Sequence, residues 1–383
     1  MALRVGINAT PLLAPLTGIG TYIVRLGAAL AASGAVDLYA FYGHRWRHEA
    51  PTVPGGSSRG TSAPRLRDII KPLVPFRREL RHAQQQLSFA RGVRRHAIDV
   101  YHEPNYVPIR YDVPVVVTLH DLSWLRYPET HPRDRVRWLE RGMPRVVERA
   151  AAIIVDSEFV RQEVLGSLGA APARVRAIHL GVSQEFRPRG EPETRGVLQA
   201  LDLAHGGYVF SVGTIEPRKN VGHVLAAYAR LPEDLRARYP LVIAGAQGWR
   251  AADLERELHS LAAGGRIRFL GDVSDADLPV LYSGAAAFVF ASKYEGFGLP
   301  PLEAMASGVP ALVSDRASLP EVVGEAAWPI DPERPEDTAR RLEAVLEDSD
   351  ARSLLARRGI ERAAGFTWEA CARATLDVYQ SIR

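Results

Sequence analysis

The chemistry-bearing residues of this chain gather in four short clusters, each beside an apolar run. The densest is Ser292-Lys293-Tyr294-Glu295-Gly296-Phe297-Gly298-Leu299-Pro300-Pro301-Leu302-Glu303-Ala304-Met305. Two carboxylates flank a turn with two glycines, and the prolines suit the first turn of a helix. Carboxylates accept hydrogen bonds from vicinal hydroxyls such as those of a sugar. Free amides at a helix start favour an anion such as a diphosphate, and glycine lets the backbone approach it. Glu295 at a strand end and Glu303 in the first helical turns would then face one ligand. The plainer alternative is two helix-end glutamates that answer the helix dipole.

The second cluster is Gly213-Thr214-Ile215-Glu216-Pro217-Arg218-Lys219-Asn220. A glycine turn followed by Arg-Lys at a helix start suits a phosphate; the alternative is a pair of solvated cations. Only Lys71, Lys219 and Lys293 among 48 basic residues are lysine, which singles out Lys219. The third cluster, Gly18-Ile19-Gly20, is either a ligand-approaching loop or a structural turn. Ile23 stands where a dinucleotide fingerprint needs its last glycine, which disfavours an NAD-dependent oxidoreductase. The fourth is Thr118-Leu119-His120-Asp121, closing an apolar strand. A histidine there can reach a crevice at the strand's carboxyl end, or can serve as an ordinary core residue.

These clusters need strands and helices to aim them. Apolar runs at residues 5–8, 38–42, 100–102, 113–119 and 153–156 read as strands. Helical patterns lie near 20–33, 78–96, 133–151 and 157–168. The alternation argues for parallel βαβ units. It pauses at the polar, Pro- and Gly-containing stretch 184–193, the candidate linker, and restarts with strands at 208–212, 241–244, 267–270, 287–290 and 311–314. The expectation is an α/β chain with two facing Rossmann-like halves, residues 1–187 and 188–367, and a cleft between their strand ends.

The 383-residue length fits two domains, and no run approaches 18 apolar residues, so no membrane span is expected. A single cysteine, Cys371, excludes an intramolecular disulfide and a cysteine metal cluster. With no signal-peptide pattern at the start, the expected compartment is the cytoplasm. Residues 55–62 read as a Gly/Ser/Thr-rich loop. Residues 65–95 are rich in arginine with interleaved apolar side chains. That segment reads either as peripheral contact with an anionic inner membrane face or lipid-linked acceptor, or as a solvated amphipathic helix. Basic residues elsewhere are balanced and no stacking motif appears, so nucleic acid is not an expected partner.

Taken together, the motifs resemble glycosyltransferase family 4, whose members have the GT-B fold. The resemblance runs over nearly the whole chain. It rests on Glu295-x7-Glu303, Gly18–Gly20, His120, Ser157-Glu158-Phe159, Gly181-Val182, Glu216-Pro217-Arg218-Lys219-Asn220 and the closing Phe366-Thr367-Trp368. It implies that a helix over about 368–383 crosses back to the first domain. Glu303 would hold ribose hydroxyls and Glu295 the donor-sugar hydroxyls. The amides of Gly296, Phe297, Gly298 and Leu299 would close around sugar and diphosphate. Arg218 and Lys219 would neutralise the leaving diphosphate, His120 would sit near the reacting centre, and Gly18 and Gly20 would approach diphosphate or acceptor. Many members carry arginine where this chain has Thr214, which shifts the diphosphate toward Arg218 and Lys219.

The Glu-Pro-Arg-Lys-Asn form looks like bacterial mannosyl- and rhamnosyltransferases of surface-polysaccharide and O-antigen synthesis. The implied reaction is retaining transfer of a hexose from a nucleotide-diphosphate sugar, GDP-linked by preference, to a lipid-linked or oligosaccharide acceptor. The sugar nucleotide is a substrate, so no cofactor is expected. No Asp-x-Asp element is singled out as a metal clamp, so no metal is expected either. The rivals are a sugar-nucleotide hydrolase or epimerase on the same fold, and a non-catalytic partner subunit. Intact Glu295, Glu303, Lys219 and His120 argue against the subunit.

Overall fold

The computed structural model describes residues 2–14, 16–54, 77–109, 112–246 and 265–383. The expected loop at 55–62 and the first part of the basic segment, 65–76, lie outside the described residues. The described residues build two sheets. The first contains β1 (Leu3–Asn8), β2 (Val36–Phe41), β3 (Trp46–Arg47), β4 (Val100–Glu103), β5 (Val115–Leu119), β6 (Ala152–Val155) and β7 (Val175–Ala177). Its spatial order is β3-β2-β1-β4-β5-β6-β7. The second contains β8 (Val209–Val212), β9 (Leu241–Ala244), β10 (Ile267–Gly271), β11 (Ala287–Phe290), β12 (Ala311–Ser314) and β13 (Trp328–Ile330). Its order is β10-β9-β8-β11-β12-β13.

Strands such as Val115-Val116-Val117 are apolar on both faces because helices cover both sides of a parallel sheet. Strands β4, β5, β6, β9, β11 and β12 are buried at every residue. Among the described residues all strand pairs are parallel except β2 with β3, which is antiparallel and departs from the expected uniform βαβ pattern. In both sheets the winding reverses between two neighbouring strands, β1 and β4 in the first, β8 and β11 in the second. Crossover connections leave opposite faces there, so a crevice opens beyond the strand ends.

The helices that matter for function are α1 (Gly18–Ala32), α2 (Arg77–Arg95), α3 (Arg133–Arg149), α4 (Glu158–Leu168), α5 (Glu191–Ala200), α6 (Val221–Tyr228), α7 (Leu299–Ala306) and α8 (Trp368–Ser381). Helix α5 begins inside the stretch read as a linker, with Gly190 as its N-cap and Pro192 in its first turn. Ser157 caps α4 by accepting from the Val160 amide at 3.2 Å.

Helix α8 returns to the first sheet and packs on α1. The Tyr379 hydroxyl lies 2.6 Å from His102 Nδ1, and the Trp368 ring stands 6.3 Å from Tyr22. Burial pushes the His102 imidazole down to about 3, so it is neutral at neutral pH. One apolar core joins Tyr22 and Leu26 of α1 with Trp368 and Tyr379 of α8 and Phe288 of β11, so it reaches both sheets.

Candidate active site

The crevice at the β8–β11 reversal gathers the second and first sequence clusters. The chain leaves β8 through Gly213, then makes a one-turn helix at Pro217–Lys219 whose cap is Asn220, at φ +58°. Asn tolerates the left-handed conformation better than most residues. Its side chain donates to the Ala291 and Pro332 carbonyls at 3.2 and 2.9 Å, which anchors the turn to the end of β11. Lys219 Nζ thereby lies 2.6 Å from Glu295 Oε1. Arg218 Nη1 donates to the Tyr294 carbonyl at 2.6 Å and stands 3.4 Å from Glu295 Oε2, while Nη2 pairs with Glu216 at 2.7 Å.

These side chains are largely enclosed, with Glu295 and Arg218 each 10% exposed and Lys219 16%. Burial would raise the Glu295 carboxyl, but Lys219 and then Arg218 outweigh it and hold the group below its ordinary value. Burial also weakens the Arg218 cation, and Glu295, Asp121 and Glu216 more than restore it. The result is a fixed positive cluster with an ionised carboxylate at its centre.

The loop after Glu295 is shaped for backbone approach. Gly298 has φ +112° and forms the N-cap of α7, and an added Cβ would meet Leu319 at 2.6 Å. Pro300 and Pro301 carry no amide hydrogen and Leu302 N–H already bonds to the Gly298 carbonyl. The amides that can meet an anion are therefore those just ahead of the prolines. Ser318 Oγ lies 2.9 Å from both the Glu295 and Phe297 carbonyls and braces the loop from behind. Glu303 sits one turn into α7 and accepts from the Tyr282 hydroxyl at 3.0 Å. It makes no ion pair among the described residues. Burial therefore dominates and pushes its carboxyl up to about 7.

The first domain meets this loop directly. The His120 carbonyl would stand 1.8 Å from any Cβ added at Gly296, so only glycine permits the two domains to close there. Ser157 Oγ donates to the Gly296 carbonyl at 2.7 Å. Tyr294 reaches across as well: its hydroxyl accepts from the Leu122 amide at 2.9 Å and donates to Glu163 at 2.5 Å. Glu321 accepts from the Glu158 and Phe159 amides at the start of α4, at 2.8 and 3.1 Å, and lies 2.6 Å from His179 Nε2.

His120 itself has Nδ1 2.7 Å from Asp156 and Nε2 3.0 Å from the Pro104 carbonyl. Both ring nitrogens face acceptors, which suits the imidazolium with both donating. Burial works against that charge, but Asp156 and the Pro104 carbonyl outweigh it and raise the imidazole's pKa. Neither nitrogen is free to act as a base. Asp121 beside it accepts from the Tyr106 hydroxyl and from the Ser123 amide and hydroxyl.

Arg218, Lys219, Glu295 and the Gly296–Leu299 loop thus converge, with His120 across the cleft and Glu303 on α7. Thr214 is exposed beside Gly213. Gly18 and Gly20 are not a loop: both belong to the first turn of α1. Gly18 is exposed, whereas Gly20 is buried and makes room for Leu16, which would stand 2.6 Å from an added Cβ. Two Asp-x-Asp spacings occur, Asp275/Asp277 and Asp348/Asp350. Asp277 accepts from the Ser274 hydroxyl at a helix start, and Asp348 caps the Asp350 and Ala351 amides. No group of three or more metal-ligating side chains occurs among the described residues. Tyr294, Glu163, Ser318 and Glu321 escaped the sequence reading, because each acts through partners far away in the chain.

Two facing Rossmann-like domains, with a cationic cluster and a glycine loop at the switch point of the second, define a glycosyltransferase of the GT-B type. The first half matches the profile described as Glycosyltransferase Family 4 over residues 16–186. The second matches Glycosyl transferases group 1 over residues 204–362. The chain is 38% identical over 375 residues to the O-antigen chain mannosyltransferase B of Escherichia coli, covering 97% of each. It is 35% identical over 237 residues to the serotype-specific mannosyltransferase WbdA of Escherichia coli, covering 60% of this chain and 29% of that longer protein. Sucrose-phosphate synthase from Thermosynechococcus elongatus superposes with a TM-score of 0.75 at 21% identity, covering 99% of both chains. The chain belongs to glycosyltransferase family 4.

Proposed function

We propose that this glycosyltransferase moves mannose, with retention of configuration, from GDP-mannose to a lipid-linked glycan in O-antigen or related polysaccharide synthesis. The similarity to mannosyltransferase B along 97% of both chains supports the sugar and the pathway class. The observation that carries the chemistry is the Arg218–Lys219–Glu295 cluster set against the Gly296–Leu299 amides. As the bond between the anomeric carbon and the diphosphate oxygen breaks, negative charge grows on the diphosphate. Fixed cations and amides stabilise that charge without reorganising. Glu295, held ionised, accepts from donor-sugar hydroxyls, and Glu303 accepts from the ribose.

Glu295 is committed to two cations, and Asp121 has Oδ1 engaged by three donors. Neither suits a covalent nucleophile. The acceptor oxygen instead bonds to the anomeric carbon on the face the diphosphate is leaving, and its proton passes to a diphosphate oxygen. His120 contributes its positive charge and its carbonyl at the closed domain contact. No metal takes part. Thr214 lines the diphosphate approach, with Gly18 and Gly20 at the facing helix start. The protein works at the inner face of the cytoplasmic membrane; no helix among the described residues is long and apolar enough to cross it.

A thermal-shift panel of nucleoside diphosphates and sugar nucleotides tests the donor. A ligand at 100 times its Kd stabilises by about 2.7 kcal/mol. GDP and GDP-mannose are expected to raise the melting temperature most, and a larger shift from a UDP-sugar would overturn the donor assignment.

A further inference from the structure

His120 faces the Arg218–Lys219–Glu295 cluster from the first domain, yet both its ring nitrogens are taken, Nδ1 by Asp156 and Nε2 by the Pro104 carbonyl. The imidazole has no polar atom left for a sugar. The next residue does. Asp121 Oδ1 accepts from the Tyr106 hydroxyl at 3.0 Å, the Ser123 amide at 2.9 Å and the Ser123 hydroxyl at 2.8 Å. Its other oxygen, Oδ2, accepts from nothing among the described residues. Asp121 is half-buried, and Oδ2 is not sealed away as the unpartnered Asp156 Oδ1 is.

Three ties on one oxygen decide which oxygen stays free. Ser123 opens the short helix Ser123–Arg126 and gives Oδ1 both its amide and its hydroxyl. That hydroxyl donates to Asp121 and is met in turn by His131 Nε2 at 2.9 Å. Tyr106 brings its hydroxyl from a backbone at φ +66°, which bulky side chains rarely adopt and which the surrounding structure has to enforce. Asp121 also lies at the domain contact, where its Cβ would stand 3.0 Å from a Cβ added at Gly296, the residue after Glu295. Burial would raise its carboxyl, but the Arg218 charge from the second domain, followed by Ser123 and Tyr106, holds it below the ordinary value. The group is thus ionised at neutral pH, and Oδ2 can only accept hydrogen bonds. Its counter-charge Arg218 and its neighbour Gly296 both belong to the cluster and loop that face the donor.

We propose that Asp121 is a specificity-determining residue for the donor: its free Oδ2 accepts a hydrogen bond from one hydroxyl of the hexose being transferred, and Tyr106 and Ser123 are the positioning residues that aim it. This rests on the reading of the chain as a hexosyltransferase using a sugar nucleotide, and it gives the first domain a direct hold on the sugar that His120 does not supply. A side chain that only capped the turn would need Oδ1 alone, which asparagine also provides. Asp121→Asn therefore keeps an acceptor for all three donors and turns only the free oxygen into an NH2 group, a donor.

The probes are GDP-mannose and the set of its monodeoxy analogues, titrated calorimetrically into the full-length wild type and Asp121→Asn, with melting temperatures alongside. In the wild type, the analogue lacking the hydroxyl that Asp121 holds is expected to bind roughly 10- to 100-fold more weakly than GDP-mannose, the size of one charge-assisted hydrogen bond. In Asp121→Asn that penalty shrinks by about threefold or more, as a charged acceptor gives way to a neutral group. The penalties for the other analogues stay as they were, because the charge lost beside Arg218 weighs on every donor alike. Tyr106→Phe, which loosens the carboxylate without removing it, shrinks the same penalty and no other, and it decides the question if Asp121→Asn does not fold. Equal penalties in wild type and variants across the whole set would overturn the proposal. So would slower transfer by Asp121→Asn with unchanged donor penalties, since the aspartate would then serve the acceptor. Failure of the wild type to bind GDP-mannose is a separate result: it removes the donor assignment, and the same comparison is then made on deoxy forms of the sugar nucleotide that gives the largest thermal shift.

Discussion

Lys219→Ala separates two roles that the geometry leaves superimposed on one ammonium group. Nζ lies 2.6 Å from Glu295, so the lysine could serve the leaving diphosphate or merely hold that carboxylate. Removing a fixed donor to a developing oxyanion costs about 10²–10³-fold in kcat, roughly 2.7–4 kcal/mol. Removing a charge-assisted hydrogen bond costs about 1.5–3 kcal/mol of stability. Arg218 at 3.4 Å still compensates Glu295, which favours the lower end of that stability loss. Initial rates of transfer from GDP-mannose are compared for Lys219→Ala, Glu295→Gln and the double variant, each checked by thermal melting. If the lysine acts on the diphosphate, its removal still lowers kcat about 100-fold when Glu295 is already Gln. A double variant no slower than Glu295→Gln alone would refute the leaving-group role.

Two further expectations follow from the site. The Glu303 carboxyl is raised to about 7, so the folded, ligand-free chain holds its proton more tightly than the unfolded chain does. Its contribution to stability therefore falls as pH rises from about 4.5 to 7, and if the ionised carboxylate holds the ribose as proposed, GDP-mannose should bind more tightly from pH 6 to 8. GDP-mannose carries no phosphate that titrates in this range; Glu303→Gln should flatten the binding profile, and a pH-independent wild-type affinity would contradict the role. Gly296→Ala places a methyl carbon 1.8 Å from the His120 carbonyl oxygen, far inside van der Waals contact. The variant should melt near the wild type yet scatter X-rays as a more open particle and lose at least tenfold in kcat, whereas unchanged scattering would contradict closure at this contact.

The strands that hold the site were legible because their chemistry is local. Val115-Val116-Val117 and Ala287-Phe288-Val289-Phe290 are buried on both faces and announce themselves as apolar runs. The edge strands β3, β7 and β13 did not, since two or three residues carry no periodicity and pairing partners alone define them. Gly18 and Gly20 read as a loop because two glycines weaken any helical pattern; the packing of Leu16 against Gly20 overrides that preference. The Arg218–Lys219 and Glu295–Glu303 clusters were visible as contiguous motifs, but their mutual pairing was not. It depends on Asn220 tying one turn to the end of β11. His120 was marked by its place at a strand end, yet the occupation of both its nitrogens came from Pro104 and Asp156, which no spacing rule connects to it.

The central claim is retaining mannosyl transfer from GDP-mannose. Its most direct test is an NMR measurement of the anomeric configuration of the newly formed linkage, with GDP-α-mannose, a prenyl-diphosphate-linked glycan acceptor and excess EDTA. The account predicts an α-mannosidic product formed at a rate the chelator does not change. A β-linked product, or the absence of any mannosylated product while another sugar nucleotide is consumed, would contradict it.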